Sequence, residues 1–353
     1  MSKDRDERDE LFEEEIDFDE QGEEFEEDDR REGRRAGAKG GRDDRNGIPS
    51  WVYIVLLAVI AAVVIFSAYK LIRWNMGTAK TEGVTGESFE VEVLDQIFLL
   101  PEDKKALHED DGKETILFLG NDILTYYKDE NGFAQQVEKK LGANVINAGF
   151  PASTVALKDA SGSEPIDAFS FYNVAKCIVN GDCSELVQAS TQFEDSTYDK
   201  NAEALAALDM STVDTLVVFY DAQDYISLRI GMNPDDDSDP VTYSGALNAG
   251  IKMIQEKYPF IRIVCMSFPM CYAYGSDGSL VSGDRFDFGN GRLTTYLQFM
   301  IDVSGATGVS FVDNYYGTIH EDNSSSWLLD NIHVNADCNA FMADHFIRVI
   351  YPE

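Results

Sequence analysis

Two residues near the C-terminus, Asp330 and His333, have the types and the spacing that general base chemistry uses. They stand three residues apart in LDNIHVN, just before a helix-like run from Ala336 to Ile350. A carboxylate at this distance can orient an imidazole and stabilise its protonated form while the ring accepts a proton. On its own the pair has an equally ordinary interpretation, a helix-capping Asp beside a solvated His. Residues elsewhere in the chain must decide between the two.

Three further loops carry polar residues or glycine directly after short apolar runs. Such positions are where side chains and backbone N–H groups can meet a ligand at the edge of a parallel sheet. The candidate residues are Asn121 and Asp122 in GNDI, Gly149 in NAGFPAST, and Asp221, Gln223 and Asp224 in DAQD.

The elements that must position these loops alternate regularly from Thr115 onward. Apolar or β-branched runs occupy residues 115–120, 144–150, 214–220, 261–268 and 309–313. Helix-like segments lie between them, at residues 132–142, 202–208, 243–258 and 292–306. Continuous apolar strands alternating with amphipathic helices predict an α/β fold, a three-layer α/β/α domain with a five-stranded parallel sheet of flavodoxin-like type. The loops after the strands should then converge at one edge of the sheet.

This order of loops resembles the SGNH, or GDSL-type, hydrolase family over roughly residues 113 to 353. Asp330 and His333 match the family's acid and base motif, and NAGFPAST is similar to its second block, with Gly149 as an oxyanion donor. The resemblance implies an ester hydrolase without a cofactor, and it makes Asn121 and Gln223 the further binding residues.

Two loops depart from the family pattern. Asp122 stands where the family has its nucleophilic Ser, and Gln223 stands where Asn is expected. Gln can still donate an N–H to an oxyanion. A carboxylate that attacked an ester would form a mixed anhydride and would leave again more readily than the alkoxide, so the ordinary acyl-serine route is closed.

Three interpretations of the site remain open. In the first, the domain is a hydrolase of acyl groups, such as acetyl on cell-surface glycans, and His333 activates water while Asp122 holds the water or the imidazolium. In the second, it is a pseudoenzyme that binds a glycan or an acylated small molecule. In the third, the cleft holds a divalent cation, because carboxylates with one imidazole suit such ions. The ligand set in that case is Asp122, Asp221, Asp224, Asp330 and His333.

The N-terminal part predicts a membrane anchor. Residues 1–47 form a charged tail whose first 29 residues carry 17 acidic and 3 basic side chains, a composition typical of disorder. Residues 48–73 contain 19 uncharged residues from Trp51 to Tyr69, enough for a transmembrane helix. Basic residues cluster before this span, which places the tail in the cytoplasm. Residues 74–113 then form a stalk, and residues 114–353 form an extracytoplasmic hydrolase-like domain in the cell membrane.

Charge and cysteine content restrict the partners. The formal net charge is −35, of which residues 1–47 contribute −10. So acidic a domain repels nucleic acid, which we exclude as a partner. Cys177 and Cys183 could close a small disulfide in an oxidising compartment, whereas Cys265 lies in an apolar run and is expected to be a core thiol.

Overall fold

The computed structural model describes residues 94–108 and 111–352. The predicted tail, the predicted span at 48–73 and the first part of the predicted stalk lie outside these residues. Among the helices of the described ranges, none is both long and apolar enough to cross a bilayer.

The central element is a sheet of five parallel strands in the order β2-β1-β3-β4-β7, as the sequence pattern predicted. A short antiparallel hairpin, β5-β6, stands apart from it. The strands are β1 (Thr115–Gly120), β2 (Asn144–Gly149), β3 (Thr215–Phe219), β4 (Arg262–Met266), β5 (Tyr272–Tyr274), β6 (Leu280–Ser282) and β7 (Ser310–Val312).

Helices cover the sheet on both faces. They are α1 (Glu102–Lys105), α2 (Asp122–Thr125), α3 (Phe133–Leu141), α4 (Phe171–Asn180), α5 (Ser184–Ser190), α6 (Ser196–Ala207), α7 (Gln223–Ile226), α8 (Tyr243–Lys257), α9 (Leu293–Thr307), α10 (Ser324–Trp327) and α11 (Ala336–Ile350). In one group α3 packs against α11, and in the other α4 and α9 pack against α8. Since crossovers between parallel strands are right-handed as a rule, this strand order puts the two groups on opposite faces, in agreement with the predicted three layers.

Strands β1 and β3 form the centre of the core because every one of their residues is buried. Phe118 of β1 contacts Phe133 of α3 and Phe346 of α11. At the end of β1 the backbones of β1 and β3 approach so closely that a Cβ on Gly120 would lie 1.9 Å from the carbonyl oxygen of Phe219. Glycine is therefore required immediately before the polar loop at Asn121.

The described end of the predicted stalk packs on the sheet. Gln96 pairs with Phe311 in an antiparallel bridge beside β7, and the N–H of Leu94 donates to Asp313. The buried ring of His345 on α11 bonds Asp95 at 2.8 Å. The apolar patch of the stalk thus adds a short extended segment at the β7 edge of the domain.

Cys177 and Cys183 are joined by a disulfide at the end of α4, with their Cα atoms 4.8 Å apart. Cys265 is buried in β4 as a free thiol, as expected. Helices α4 and α5 and the β5-β6 hairpin were not predicted. The apolar residues of α4 do repeat at helical spacing, at Phe171, Val174, Ala175 and Ile178, so the sequence carried a signal for this helix.

Candidate active site

Three of the predicted residues meet at the carboxyl edge of the sheet. Asp122 follows β1, Asp221 follows β3, and His333 lies in the loop before α11. One carboxylate oxygen of each Asp and one ring nitrogen of His333 all lie within 4.8 Å of one another. We call this group the Asp122–Asp221–His333 triangle.

His333 is fixed by the loop that carries it. A bridge between Leu328 and Val334 closes this loop. Inside it, Asp330 accepts hydrogen bonds from the backbone N–H groups of Ile332 and His333, at 2.9 and 2.7 Å. The other carboxylate oxygen of Asp330 lies 2.6 Å from Nδ1 of His333. The closed loop therefore produces the oriented imidazole that D-x-x-H predicts.

The electrostatics of this pair suit a base held by an anion. Burial by itself would raise the pKa of Asp330, but the hydrogen bonds from the His333 ring and from the loop N–H groups outweigh it and lower that pKa. Asp330 is therefore ionised and can stabilise an imidazolium. The His333 ring also stacks on Tyr126, with ring centroids 4.5 Å apart. Because Nδ1 faces Asp330, Nε2 is the nitrogen that remains for the cleft.

Asp122, at the position of the family nucleophile, begins the short helix α2. Its carboxylate accepts a hydrogen bond of 2.6 Å from the backbone N–H of Ala152. Burial raises the pKa of Asp122, and the Ala152 N–H and the nearby His333 only partly offset that rise. Ala152 has a φ of 54°, a left-handed conformation that is uncommon for a residue with a Cβ. No feature of the sequence marks Ala152 as the backbone donor at this site.

Asp221 is the buried member of the triangle. Its Oδ1 accepts hydrogen bonds from the side chain of Asn121 at 2.7 Å and from the N–H of Gln223 at 3.0 Å. Its Oδ2 is buried and has no hydrogen-bond partner among the described residues. Burial, with the adjacent Asp122 as the next cause, raises the pKa of Asp221 to about 7.

Asn121 lies behind the site and not in it. The side chain is fully buried, and its amide donates to the carbonyl of Ser153 and to the carboxylate of Asp221. Its own carbonyl oxygen accepts from the Asp221 N–H at 2.9 Å. All of its hydrogen-bonding groups are thus used to tie the β1 and β3 loops together, and none is left to bind a ligand.

The two predicted oxyanion donors have other partners. The N–H of Gly149 donates to the side chain of Asn147 at 3.0 Å. The side-chain amide of Gln223 donates to Ser227 at 2.6 Å, within its own short helix. An oxyanion role for the Gly149 N–H would require its hydrogen bond to break, whereas the Gln223 amide has a second N–H.

Asp224 is also separate from the triangle. Its carboxylate accepts hydrogen bonds from the N–H groups of Val155 and Ala156, at 2.8 and 3.0 Å. Burial raises its pKa to about 6. Of the five residues predicted as a cation set, three therefore meet, while Asp224 holds the β2 loop and Asp330 orients His333.

Comparison with known proteins gives similarities in structure only. No family model matches the chain, and no curated protein matches it significantly. A candidate GDSL-like lipase from Bacteroides uniformis is 13% identical with a TM-score of 0.43, over 69% of this chain and 98% of the other. An acetyl xylan esterase is 14% identical with a TM-score of 0.41, over 66% and 97%. A carbohydrate acetylesterase from Sinorhizobium meliloti is 14% identical with a TM-score of 0.38, over 66% and 97%.

These identities concern the fold alone, and every TM-score is below 0.5. The architecture of the described residues resembles that of SGNH/GDSL-type hydrolases: five parallel strands carry the first, third and fourth polar loops to one edge of the sheet, where Asp122, Asp221 and His333 meet.

Proposed function

We propose that this chain is a single-pass membrane protein whose extracytoplasmic SGNH/GDSL-like domain hydrolyses small acyl esters, with water as the nucleophile. The observation that carries the proposal is the 2.6 Å contact between Asp330 and Nδ1 of His333, in a ring that has a nitrogen within 4.8 Å of carboxylate oxygens of Asp122 and Asp221. An oriented imidazole beside a carboxylate, with no hydroxyl at the nucleophile position, suits activation of water.

The reaction follows from the position of each group. Nε2 of His333 accepts a proton from water, and the water oxygen forms a bond to the acyl carbon. The bond from that carbon to the alcohol oxygen then breaks, and the imidazolium returns the proton to the leaving alcohol. Asp330 stabilises the imidazolium, and Asp122 stabilises it from the cleft side. General base catalysis of this kind contributes roughly 10²- to 10⁴-fold in rate.

Acetyl groups on cell-surface glycans are the proposed substrate. Support comes from the predicted span at residues 48–73 and the basic cluster before it, which favour a location of the domain outside the cell. The Cys177–Cys183 disulfide agrees with an oxidising compartment. The small acyl group is a proposal from the family resemblance.

A second candidate is a pseudoenzyme that binds a glycan or an acylated ligand in the same cleft. It is favoured by the hydrogen bond that occupies the Gly149 N–H and by the hydrogen bond from the Gln223 amide to Ser227, since a working oxyanion hole needs donors aimed at the substrate.

Hydrolysis by the full-length chain distinguishes the two candidates. An activated acetyl ester and O-acetylated glycans serve as substrates, with His333→Gln as the test variant and the exposed His320→Gln as its control. We expect His333→Gln to lose at least about 100-fold in kcat/KM, and His320→Gln to lose nothing. Saturable binding without turnover would favour the pseudoenzyme. Neither turnover nor binding would refute both.

The proposed topology has its own test. Protease added to intact cells should remove the C-terminal domain and spare the tail at residues 1–47. If the domain is protected, the extracytoplasmic location is wrong.

A further inference from the structure

Among the described residues, one buried carboxylate oxygen of the triangle, Oδ2 of Asp221, has no hydrogen-bond partner. Asp221 is 3% exposed, and its Oδ2 accepts no hydrogen bond from any described residue. Most buried polar atoms are paired, because a desolvated charge without a counter-charge is costly. The same carboxylate offers an oxygen within 4.8 Å of a carboxylate oxygen of Asp122 and of a ring nitrogen of His333.

We infer that Asp122, Asp221 and His333 bind a divalent transition-metal ion of the Zn²⁺ or Mn²⁺ class. Two carboxylate oxygens and one imidazole nitrogen form a ligand set that such ions accept. Ligand atoms about 2.0 to 2.2 Å from one ion lie no more than about 4.4 Å from each other, so spacings within 4.8 Å need little adjustment. In residues 94–108 and 111–352 this is the one group of at least three such side chains with that spacing.

The charge of the site also favours a cation. The ion pairs found among the described residues include no Lys or Arg partner for Asp122 or Asp221. A divalent ion would neutralise both.

Asp330 would orient the metal-binding His333 without itself binding the ion. A metal-binding His generally donates its second ring N–H to a carboxylate, which fixes the ring and increases its basicity. The 2.6 Å contact between Asp330 and Nδ1 of His333 provides that arrangement and leaves Nε2 for the ion. Asp330 and Asp224 are therefore not ligands in this assignment.

This inference rests on the proposed esterase function and deepens it. Three protein ligands leave positions for water and for a substrate carbonyl, as in catalytic metal sites. With the ion bound, Nε2 of His333 would be a ligand and could not also be the base, so the ion would take over the activation of water described above. The ion would lower the pKa of its bound water, which would release its proton to solvent, and the leaving alcohol would take up a proton from solvent. The ion would also polarise the acyl oxygen, a role for which the Gly149 N–H is not available while it is bonded to Asn147.

Binding is tested on the full-length chain after removal of metal with a chelator. Zn²⁺, Mn²⁺ and, as an oxygen-preferring control, Ca²⁺ are added singly, and melting temperature and calorimetric binding are measured. We expect one ion per chain for Zn²⁺ or Mn²⁺. At about 100 times the dissociation constant, the melting temperature should rise by roughly 5 to 10 °C.

Four variants identify the ligands. Asp221→Asn and Asp122→Asn should each abolish the rise in melting temperature. If Asp221→Asn does not fold, Asp122→Asn still tests the site. Asp330→Asn should weaken binding by about 10- to 100-fold. Asp337→Asn, an exposed substitution in the first turn of α11, should leave binding unchanged.

The outcomes separate this inference from the proposed function. If no ion binds to folded wild-type protein, or if Asp122→Asn and Asp221→Asn bind as wild type does, the inference is overturned. If the stripped chain hydrolyses esters at the full rate, His333 acts as a base and the catalytic part of the inference fails. If the ion binds through the triangle but no ester is cleaved, the site stands and the proposed hydrolase function fails.

Discussion

Replacing Asn121 by Asp tests whether this residue is a structural bridge between two loops. Members of the resembled family carry Asp at this position, so the substitution is the one that the resemblance would recommend. In this chain the amide donates to the Ser153 carbonyl at 3.0 Å and to the Asp221 carboxylate at 2.7 Å, and it is fully buried. A carboxylate can make neither donation, and it would face the existing carboxylate of Asp221.

The cost follows from these contacts. Each buried group that loses its partner costs about 1 to 3 kcal/mol, and two acceptors lose their donor. With the added repulsion, N121D should lower the free energy of unfolding by about 3 to 5 kcal/mol. A second substitution, D221N, replaces one of the facing carboxylates by an amide. It should recover about 2 kcal/mol in the N121D background, although the Ser153 carbonyl stays unpaired.

The stabilities of N121D, D221N and the double variant are measured by urea unfolding of the full-length chain in detergent, followed by near-ultraviolet circular dichroism. We expect the N121D midpoint to fall by about 1 to 2 M. If N121D costs less than about 1 kcal/mol, or if the two substitutions are additive, then the Asn121–Asp221 bridge does not hold the loops together and the proposed site geometry is wrong.

Three further predictions concern the support of the site. Burial raises the pKa of Asp224 to about 6, above the ordinary 3.8, so the folded state binds this proton more tightly than the unfolded chain does. The free energy of unfolding should therefore fall by about 3 kcal/mol as the pH rises from about 4 to 6. Urea titrations should show this part of the slope missing in Asp224→Asn, and an unchanged slope would contradict the assignment. Reduction of the Cys177–Cys183 disulfide should cost about 2 kcal/mol in a thermal melt, whereas no shift would mean that the bridge is absent. Asp95→Ala leaves buried His345 unpaired and should lower the free energy of unfolding by about 2 to 3 kcal/mol, with faster proteolysis of residues 94–108. Unaltered proteolysis would mean that the Asp95–His345 hydrogen bond does not hold this segment on the domain.

The sequence by itself determined the sheet and the loops at its edge. The five apolar runs became the five parallel strands, because buried strands in an α/β domain must be apolar on both faces. It also predicted the Asp330–His333 contact, since residues three apart in one tight loop can reach each other. Local spacing and burial pattern are sufficient for both conclusions.

Only the tertiary structure decided which groups face the cleft. The sequence placed Gly149, Gln223 and Asp224 at strand ends, but their donors and acceptors turn to partners that other loops supply. Ala152, which has no recognisable motif, donates to Asp122 because the β2 loop adopts a left-handed residue there. The direction of an N–H or a carboxylate depends on packing between segments 30 to 100 residues apart, such as Asn121 with Ser153 and Asp221. No local pattern of residues encodes that packing, so only the folded domain fixes which groups reach the site.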